Sequence, residues 1–120
     1  MALAARLESH IQKQIVDFIA AVLPNAICFA VPNEARRTQS GRASNAVAGL
    51  RRGAPDLCLC LPQGRVLFIE VKSQKCRASI EQIGFHGHLN SIGHEVFIAR
   101  SIDDVRRAFV ALGIKTREAA

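Results

Sequence analysis

Two carboxylates and one lysine have a spacing that could serve phosphate chemistry. Asp56 lies in the run Gly53-Ala54-Pro55-Asp56-Leu57, and Glu70 and Lys72 lie in the run Phe68-Ile69-Glu70-Val71-Lys72. The runs belong to short apolar segments separated by Pro62-Gln63-Gly64, so we predict a β-hairpin with one carboxylate on each arm. Such a pair, followed by a lysine two residues on, could hold a divalent cation and a cationic side chain beside one phosphate.

The register of the hairpin decides whether the two carboxylates meet, because side chains alternate between the faces of a strand. A three-residue loop with Leu61 opposite Arg65 pairs Asp56 with Glu70 and places Lys72 on the same face, with paired Cβ atoms roughly 4.5–5.5 Å apart. It also places Gly64 where a left-handed residue is favoured. A two-residue loop would pair Asp56 with Val71 and point Glu70 away. We predict the three-residue loop.

Two adjacent carboxylates on a buried face repel each other and lose hydration. A bound cation relieves both effects, and hard oxygen ligands suit Mg²⁺ or Mn²⁺. The alternative is two exposed acids on an amphipathic hairpin, but the Glu-x-Lys spacing favours the functional interpretation.

Two further polar residues have competing interpretations. Glu8 falls on the apolar stripe of the first helix, either because it interacts with the helix dipole or because it is a third acidic ligand. Gln82 occupies the third position of a capping box that begins at Ser79, and it could also face the site.

The histidines and cysteines carry weaker signals. We interpret His86, His88 and His94 as surface or core histidines rather than catalytic residues, since none has partners at ligand spacing. The four cysteines form no Cys-x-x-Cys pair, which argues against zinc and favours reduced thiols. We expect Cys58 and Cys60 to lie in a buried strand.

Hydrophobic periodicity and turn residues predict an α/β protein with the element order αβββαβα. The predicted helices are residues 4–22, residues 79–91 and a last helix from residue 101, and the predicted strands are residues 26–31, 56–61, 65–72 and 95–100. Residues 32–54 show no clean period and carry five arginines, although residues 43–50 could form a short helix. We predict one domain over residues 1–120.

The bulk composition is that of a globular protein with a basic surface. Hydrophobic residues make up 49% of the 120 residues, and the net charge of +6 favours polyanionic partners. No apolar run approaches the length of a membrane span, and we expect no signal peptide, so a cytoplasmic location is predicted.

These motifs together resemble the VRR-NUC family of the PD-(D/E)XK nuclease superfamily over nearly the whole chain. The matching positions are Glu8, Val31-Pro32-Asn33 with the arginines that follow, the run 49–57, the run 68–72, Gln82, His86, Leu89 and Gly93. Val71 departs from the leucine that is frequent in the family. The resemblance implies a restriction-endonuclease-like fold, with a central mixed sheet flanked by helices.

The resemblance also implies Mg²⁺- or Mn²⁺-dependent cleavage of DNA that leaves a 5′-phosphate. Asp56, Glu70 and the Val71 carbonyl would be metal ligands, and Glu8 would bind the metal directly or through water. Lys72 would orient or activate the attacking water, and Gln82 would support the site.

Substrate and assembly follow from the same resemblance. Single-domain members look like homodimers that cut branched DNA such as Holliday junctions, in bacterial or phage-infected cells. The residues expected to contact DNA are Asn33, Arg36, Arg37, Arg42, Arg51 and Arg52. A flap-cutting or duplex-cutting nuclease and a catalytically silent DNA-binding module remain as alternatives.

Overall fold

The computed structural model describes residues 2–32 and 48–118. The helices are α1 (Ala2–Val22), α2 (Ile80–Ser91) and α3 (Ile102–Ala111), and the strands are β1 (Ile27–Ala30), β2 (Leu57–Cys60), β3 (Val66–Val71) and β4 (Glu95–Ala99). The predicted order αβββαβα is confirmed, and each boundary lies within about two residues of its prediction. The short helix considered for residues 43–50 falls mostly outside the described residues.

The four strands form one mixed sheet in the order β1-β2-β3-β4. The first three strands are antiparallel neighbours, whereas β4 runs parallel to β3. A parallel neighbour cannot be reached by a tight turn, and here α2 makes the crossover from β3 to β4.

The hairpin between β2 and β3 has the predicted three-residue loop. Cys58 pairs with Phe68 and Cys60 with Val66, and the Leu61 N–H donates to the Arg65 carbonyl at 2.7 Å. Continuing this register sets Asp56 opposite Glu70.

The turn itself is a short 3₁₀ turn over Pro62–Gly64. Gly64 has the predicted left-handed conformation with φ of 80°, and Gln63 is left-handed as well with φ of 66°.

The core fills the sheet face that α1 and α3 cover. Ile15 and Ile19 of α1 pack there with Val105 and Phe109 of α3. The strands contribute alternate residues, namely Leu57, Leu59, Leu67, Ile69 and Val71. Phe18 is partly buried against this cluster, with the Arg106 guanidinium 4.9 Å from its ring centre.

All four cysteines are free thiols. Cys58 is buried as predicted, but Cys60 is half-buried. Burial raises the pKa of the Cys28 and Cys58 thiols to about 11, so both remain protonated at neutral pH.

Across residues 2–32 and 48–118, the helices are too short or too polar to cross a bilayer.

The predicted capping box at the start of α2 is confirmed. Ser79 Oγ accepts from the Gln82 N–H at 3.1 Å, and the Ser79 N–H donates to Gln82 Oε1 at 2.8 Å. Two otherwise unsatisfied donors at the helix start are thereby bonded. The cap matters for the site, because α2, all of whose residues the structure describes, contains no buried residue.

Candidate active site

Glu70 is the central residue of the candidate site. It alternates along β3 with the core residues Ile69 and Val71, so its side chain lies on the opposite face of the sheet. This face is not open to water at Glu70, since only 1% of the residue is exposed. A buried carboxylate needs partners, and those partners define the site.

Each oxygen of Glu70 has its own partner on α2. Gln82 Nε2 donates to Oε2 at 3.0 Å, and His86 Nε2 lies 3.2 Å from Oε1. Gln82 therefore fulfils both interpretations that its sequence position allowed. Its carbonyl oxygen completes the capping box while its amide nitrogen reaches the site.

Asp56 is held beside Glu70 by the backbone of β3. Its Oδ2 accepts from the Val71 N–H at 2.8 Å, and the Asp56 carbonyl accepts from the Val31 N–H at 2.8 Å. The aspartate is thus tied to both neighbouring segments, and the register predicted from the loop brings the two carboxylates together.

The pKa values of Glu70 and His86 reflect this burial. Burial, and secondarily the hydrogen bond and charge of Asp56, raises the pKa of Glu70 from 4.5 to about 9, although Lys72 opposes the rise. Burial also lowers the pKa of His86 from its usual 6.5. At neutral pH, without a cation, Glu70 holds a proton and His86 is uncharged.

Glu8 approaches the same region from α1. Its Oε2 accepts from the Ser73 N–H at 3.3 Å, and its negative charge contributes to the raised pKa of Glu70. Glu8 lies beyond the first turn of α1, where the helix dipole has little effect. The contact with Ser73 explains its place on the apolar stripe better than the dipole does.

Lys72 follows the last residue of β3 and is half-buried. Its N–H donates to the Ala99 carbonyl at 3.1 Å, which continues the pairing with β4. Its positive charge reaches Glu70, because it opposes the rise of the Glu70 pKa. The structure therefore brings the predicted residues Glu8, Asp56, Glu70 and Lys72 to one end of the sheet.

Two residues of this region were not predicted as functional. His86 was interpreted as a surface or core histidine; it is a largely covered one, and its imidazole contacts Glu70. The available signal was its position four residues after Gln82, on the same helical face. Arg100 carried no such signal. Its Nη1 donates to the Ser73 and Cys76 carbonyls at 2.5 and 2.6 Å and so fixes the segment after Lys72.

The loop before Asp56 is docked against α2. Gly53 has φ of 87°, and a Cβ there would overlap the Glu81 carbonyl, so only glycine fits this approach. The Arg51 guanidinium lies 5.4 Å from the centre of the Phe85 ring. Of the residues predicted to contact DNA, Arg51 and Arg52 are exposed here, while Asn33, Arg36, Arg37 and Arg42 lie outside the described residues.

The donors that could hold a divalent cation are the carboxylates of Asp56 and Glu70 and the Val71 carbonyl. In residues 2–32 and 48–118, no three His, Cys, Asp or Glu side chains form a metal-binding group. Two carboxylates with one backbone carbonyl do not require such a group, and Mg²⁺ commonly uses one or two carboxylates and keeps several waters. The donor set therefore fits the cation.

A groove of about 670 Å³ lies elsewhere, between the end of α1, the hairpin turn and residues 114–117. Since β2 runs from Asp56 toward that turn, the groove is at the other end of the hairpin. Among the residues that the structure describes, its lining contains no carboxylate side chain, so we do not assign the chemistry to it.

The mixed sheet, its flanking helices and the paired carboxylates define a restriction-endonuclease-like core of the PD-(D/E)XK type. A solved structure described as "VRR_NUC domain" matches this fold with a TM-score of 0.61 at 24% sequence identity, covering 88% of this chain and 95% of that one.

Sequence comparison gives the family. The sequence model of the VRR-NUC domain family matches residues 4–103 of this chain. The protein named "Putative nuclease p44" of Acyrthosiphon pisum secondary endosymbiont phage 1 is 34% identical over 67 residues, which are 56% of this chain and 72% of that protein. The chain belongs to the VRR-NUC domain family, as its motifs predicted, and the family and this relative support a nuclease.

The raised pKa of Glu70 predicts a pH-dependent stability of the metal-free protein. Between its ordinary value of 4.5 and about 9, the folded state binds a proton that the unfolded state has lost. The free energy of unfolding therefore falls as the pH rises through this window. This slope is measured by urea denaturation in EDTA from about pH 7 to about pH 8.5. His86 is uncharged there, because its pKa is lowered from 6.5.

Glu70→Gln is the matched control, because it keeps the shape and cannot ionise. We expect the stability difference, wild type minus variant, to decrease as the pH rises. A difference that is independent of pH would contradict the raised pKa.

Proposed function

We propose that this protein is a Mg²⁺- or Mn²⁺-dependent endodeoxyribonuclease that cuts branched DNA such as a Holliday junction as a homodimer. The observation that carries the proposal is the burial of Glu70 beside Asp56, with Lys72 at the end of the same strand. Two carboxylates held together at one end of a sheet are stabilised by a cation, and the adjacent lysine supplies the further positive charge that a phosphate needs.

In this proposal Asp56, Glu70 and the Val71 carbonyl hold the cation, and Glu8 contributes directly or through water. The chemistry that bound Mg²⁺ or Mn²⁺ supplies is a lower pKa for water and a polarised phosphate. The Val71 N–H keeps Asp56 in place, because it donates to Oδ2 and leaves Oδ1 for the site. The α2 side chain of Gln82 keeps Glu70 in place in the same way.

Lys72 has two roles in the proposal. Its ammonium group neutralises part of the charge that develops on the phosphate, and it orients or activates the attacking water. Half-burial and the neighbouring carboxylates favour a fixed position for this long side chain. The hydrogen bond from the Lys72 N–H to the Ala99 carbonyl fixes the Lys72 Cα relative to Glu70.

DNA as the substrate is supported by the charge of the chain. The net charge of +6 includes the exposed Arg51, which lies in the loop leading to Asp56. We propose that Arg51 and Arg52, together with Asn33, Arg36, Arg37 and Arg42, contact backbone phosphates. Phosphate contacts position DNA without reading its sequence, which suits an enzyme that selects DNA by its shape.

The outward face of α2 supports the proposal of a homodimer. Ile80 and Ile83 are 86% and 61% exposed, and a Cβ on Gly84 or Gly87 would meet no atom within 4 Å. We propose that this face packs against the same face of a second copy. A two-fold dimer is the arrangement that brings two identical sites to a nearly symmetric junction.

The dimer contact is tested by replacing one exposed apolar residue. We expect sedimentation analysis to show a dimer for the wild type and a monomer for Ile83→Glu, because a buried like-charge pair would oppose the contact. The matched control is Val110→Glu on α3, where Val110 is 79% exposed. A monomeric wild type, or a dimer that Ile83→Glu leaves intact, contradicts the proposed contact.

The activity is tested on a labelled four-way junction, a 5′ flap and a linear duplex, each with Mg²⁺, Mn²⁺ or EDTA. We expect metal-dependent cutting of the junction, no cutting in EDTA, and a loss of at least about 10²-fold in Glu70→Gln. That variant keeps hydrogen-bonding atoms in the site but removes the charge that holds the cation.

Glu95→Gln is the control, since Glu95 lies on the adjacent strand and pairs with Arg65 at 3.0 Å, away from the site. Cutting mainly of flaps or duplex would keep the chemistry and change the substrate. Binding of DNA without cutting under either metal would contradict the proposed nuclease activity and would favour a DNA-binding module.

A further inference from the structure

We propose that His86 is a positioning residue for Glu70, which together with Gln82 fixes the orientation of the carboxylate toward the cation. The inference rests on the proposed function, because it concerns how a ligand of that site is held. It assigns a role to a side chain that the sequence motifs left without one.

The geometry shows two partners on two different oxygens. His86 Nε2 lies 3.2 Å from Oε1, and Gln82 Nε2 lies 3.0 Å from Oε2. The torsion that rotates a glutamate carboxylate is broad and weakly restricted by itself. With one partner the group could still turn about the remaining bond, whereas two partners on separate oxygens fix the plane of the carboxylate.

The arrangement leaves room for a cation. An ionised carboxylate offers about four lone-pair sites, and the two partners on α2 occupy two of them. Two sites remain, and Asp56 is close enough to Glu70 to raise its pKa through a hydrogen bond and through its charge. His86 is itself well covered, with 12% of its side chain exposed against 2% for that of Glu70.

The start of α2 gives both partners a common reference point. Gln82 and His86 are four residues apart and so share one face of the helix. The capping box ties Gln82 to Ser79, and the close approach of Gly53 to Glu81 packs the loop before Asp56 on the same helical turn. Both carboxylates are thereby positioned against one element.

A role in packing alone makes a different prediction. If His86 only fills space, an apolar residue of similar size replaces it, and metal affinity stays unchanged. If His86 positions Glu70, the loss of its hydrogen bond weakens metal binding even in a well-folded protein. Loss of such a supporting partner typically costs 10–100-fold in metal affinity or activity.

The test uses Mn²⁺ alone as the probe, measured by calorimetry on the full chain. We expect His86→Leu to raise the Kd for Mn²⁺ by about tenfold or more. His86→Gln should recover most of the affinity, because its amide nitrogen can donate to Oε1. The matched control is His88→Leu, two residues away on the same helix and exposed, which should bind as the wild type does.

Two further readouts separate positioning from folding. Melting temperatures in EDTA show whether each variant is folded, and His86→Met, a second apolar replacement without a hydrogen-bond donor, takes the place of His86→Leu if that variant unfolds. On junction DNA we expect His86→Leu to lower kcat while KM for the DNA stays near the wild-type value, because the DNA contacts are elsewhere.

Three results would overturn the inference. They are wild-type affinity in His86→Leu, no better affinity in His86→Gln than in His86→Leu, and an equal loss in His88→Leu. A wild type that binds no Mn²⁺ refutes the proposed function itself, and that outcome is distinct because it appears before any variant is compared.

Discussion

The structure depends on one costly feature, which is a carboxylate removed from water beside a second carboxylate. Burying an ionised group costs on the order of several kcal/mol in a real protein unless its partners compensate. The chain compensates for Glu70 with a proton, as its raised pKa shows, and with hydrogen-bonding groups from α2. In the proposed function a divalent cation replaces that proton and offsets the repulsion between the two carboxylates.

The hairpin turn, the strand register and the α2 crossover together place the two carboxylates side by side. The Pro62–Gly64 turn sets the hairpin register, and the register sets Asp56 against Glu70. The crossover through α2 then returns the chain to a parallel strand, which brings the capped start of the helix over Glu70. Because α2 contributes no fully buried residue, the cap, Gly53 and the polar contacts with Glu70 help to hold it, beside the partly buried Phe85 and Leu89. Segments with little buried surface open at low free energy, which is common where a substrate must enter.

Sequence reasoning reached the hairpin register and the capping box because each depends on a few adjacent residues. Gly64 and the spacing of the loop decided the first, and Ser79 with Gln82 decided the second. It did not predict the contact of His86 with Glu70, because the face of α2 that meets the sheet depends on the crossover and not on the helix alone. The same limit applied to Glu8. Its partner, the Ser73 N–H, is 65 positions away in the chain, so a local dipole was an available explanation until the structure placed Ser73. Arg100 had no pattern at all, because it binds two carbonyls of a loop.

In the proposed function, Asp56 and Glu70 hold one divalent cation between them. Anomalous scattering from crystals grown with Mn²⁺ would locate that ion directly. We expect a peak between the two carboxylates, at about 2.1 Å from an oxygen of each, and no such peak in crystals of Glu70→Gln. A Mn²⁺ peak elsewhere, or ordered Asp56 and Glu70 with no peak between them at saturating Mn²⁺, would contradict it.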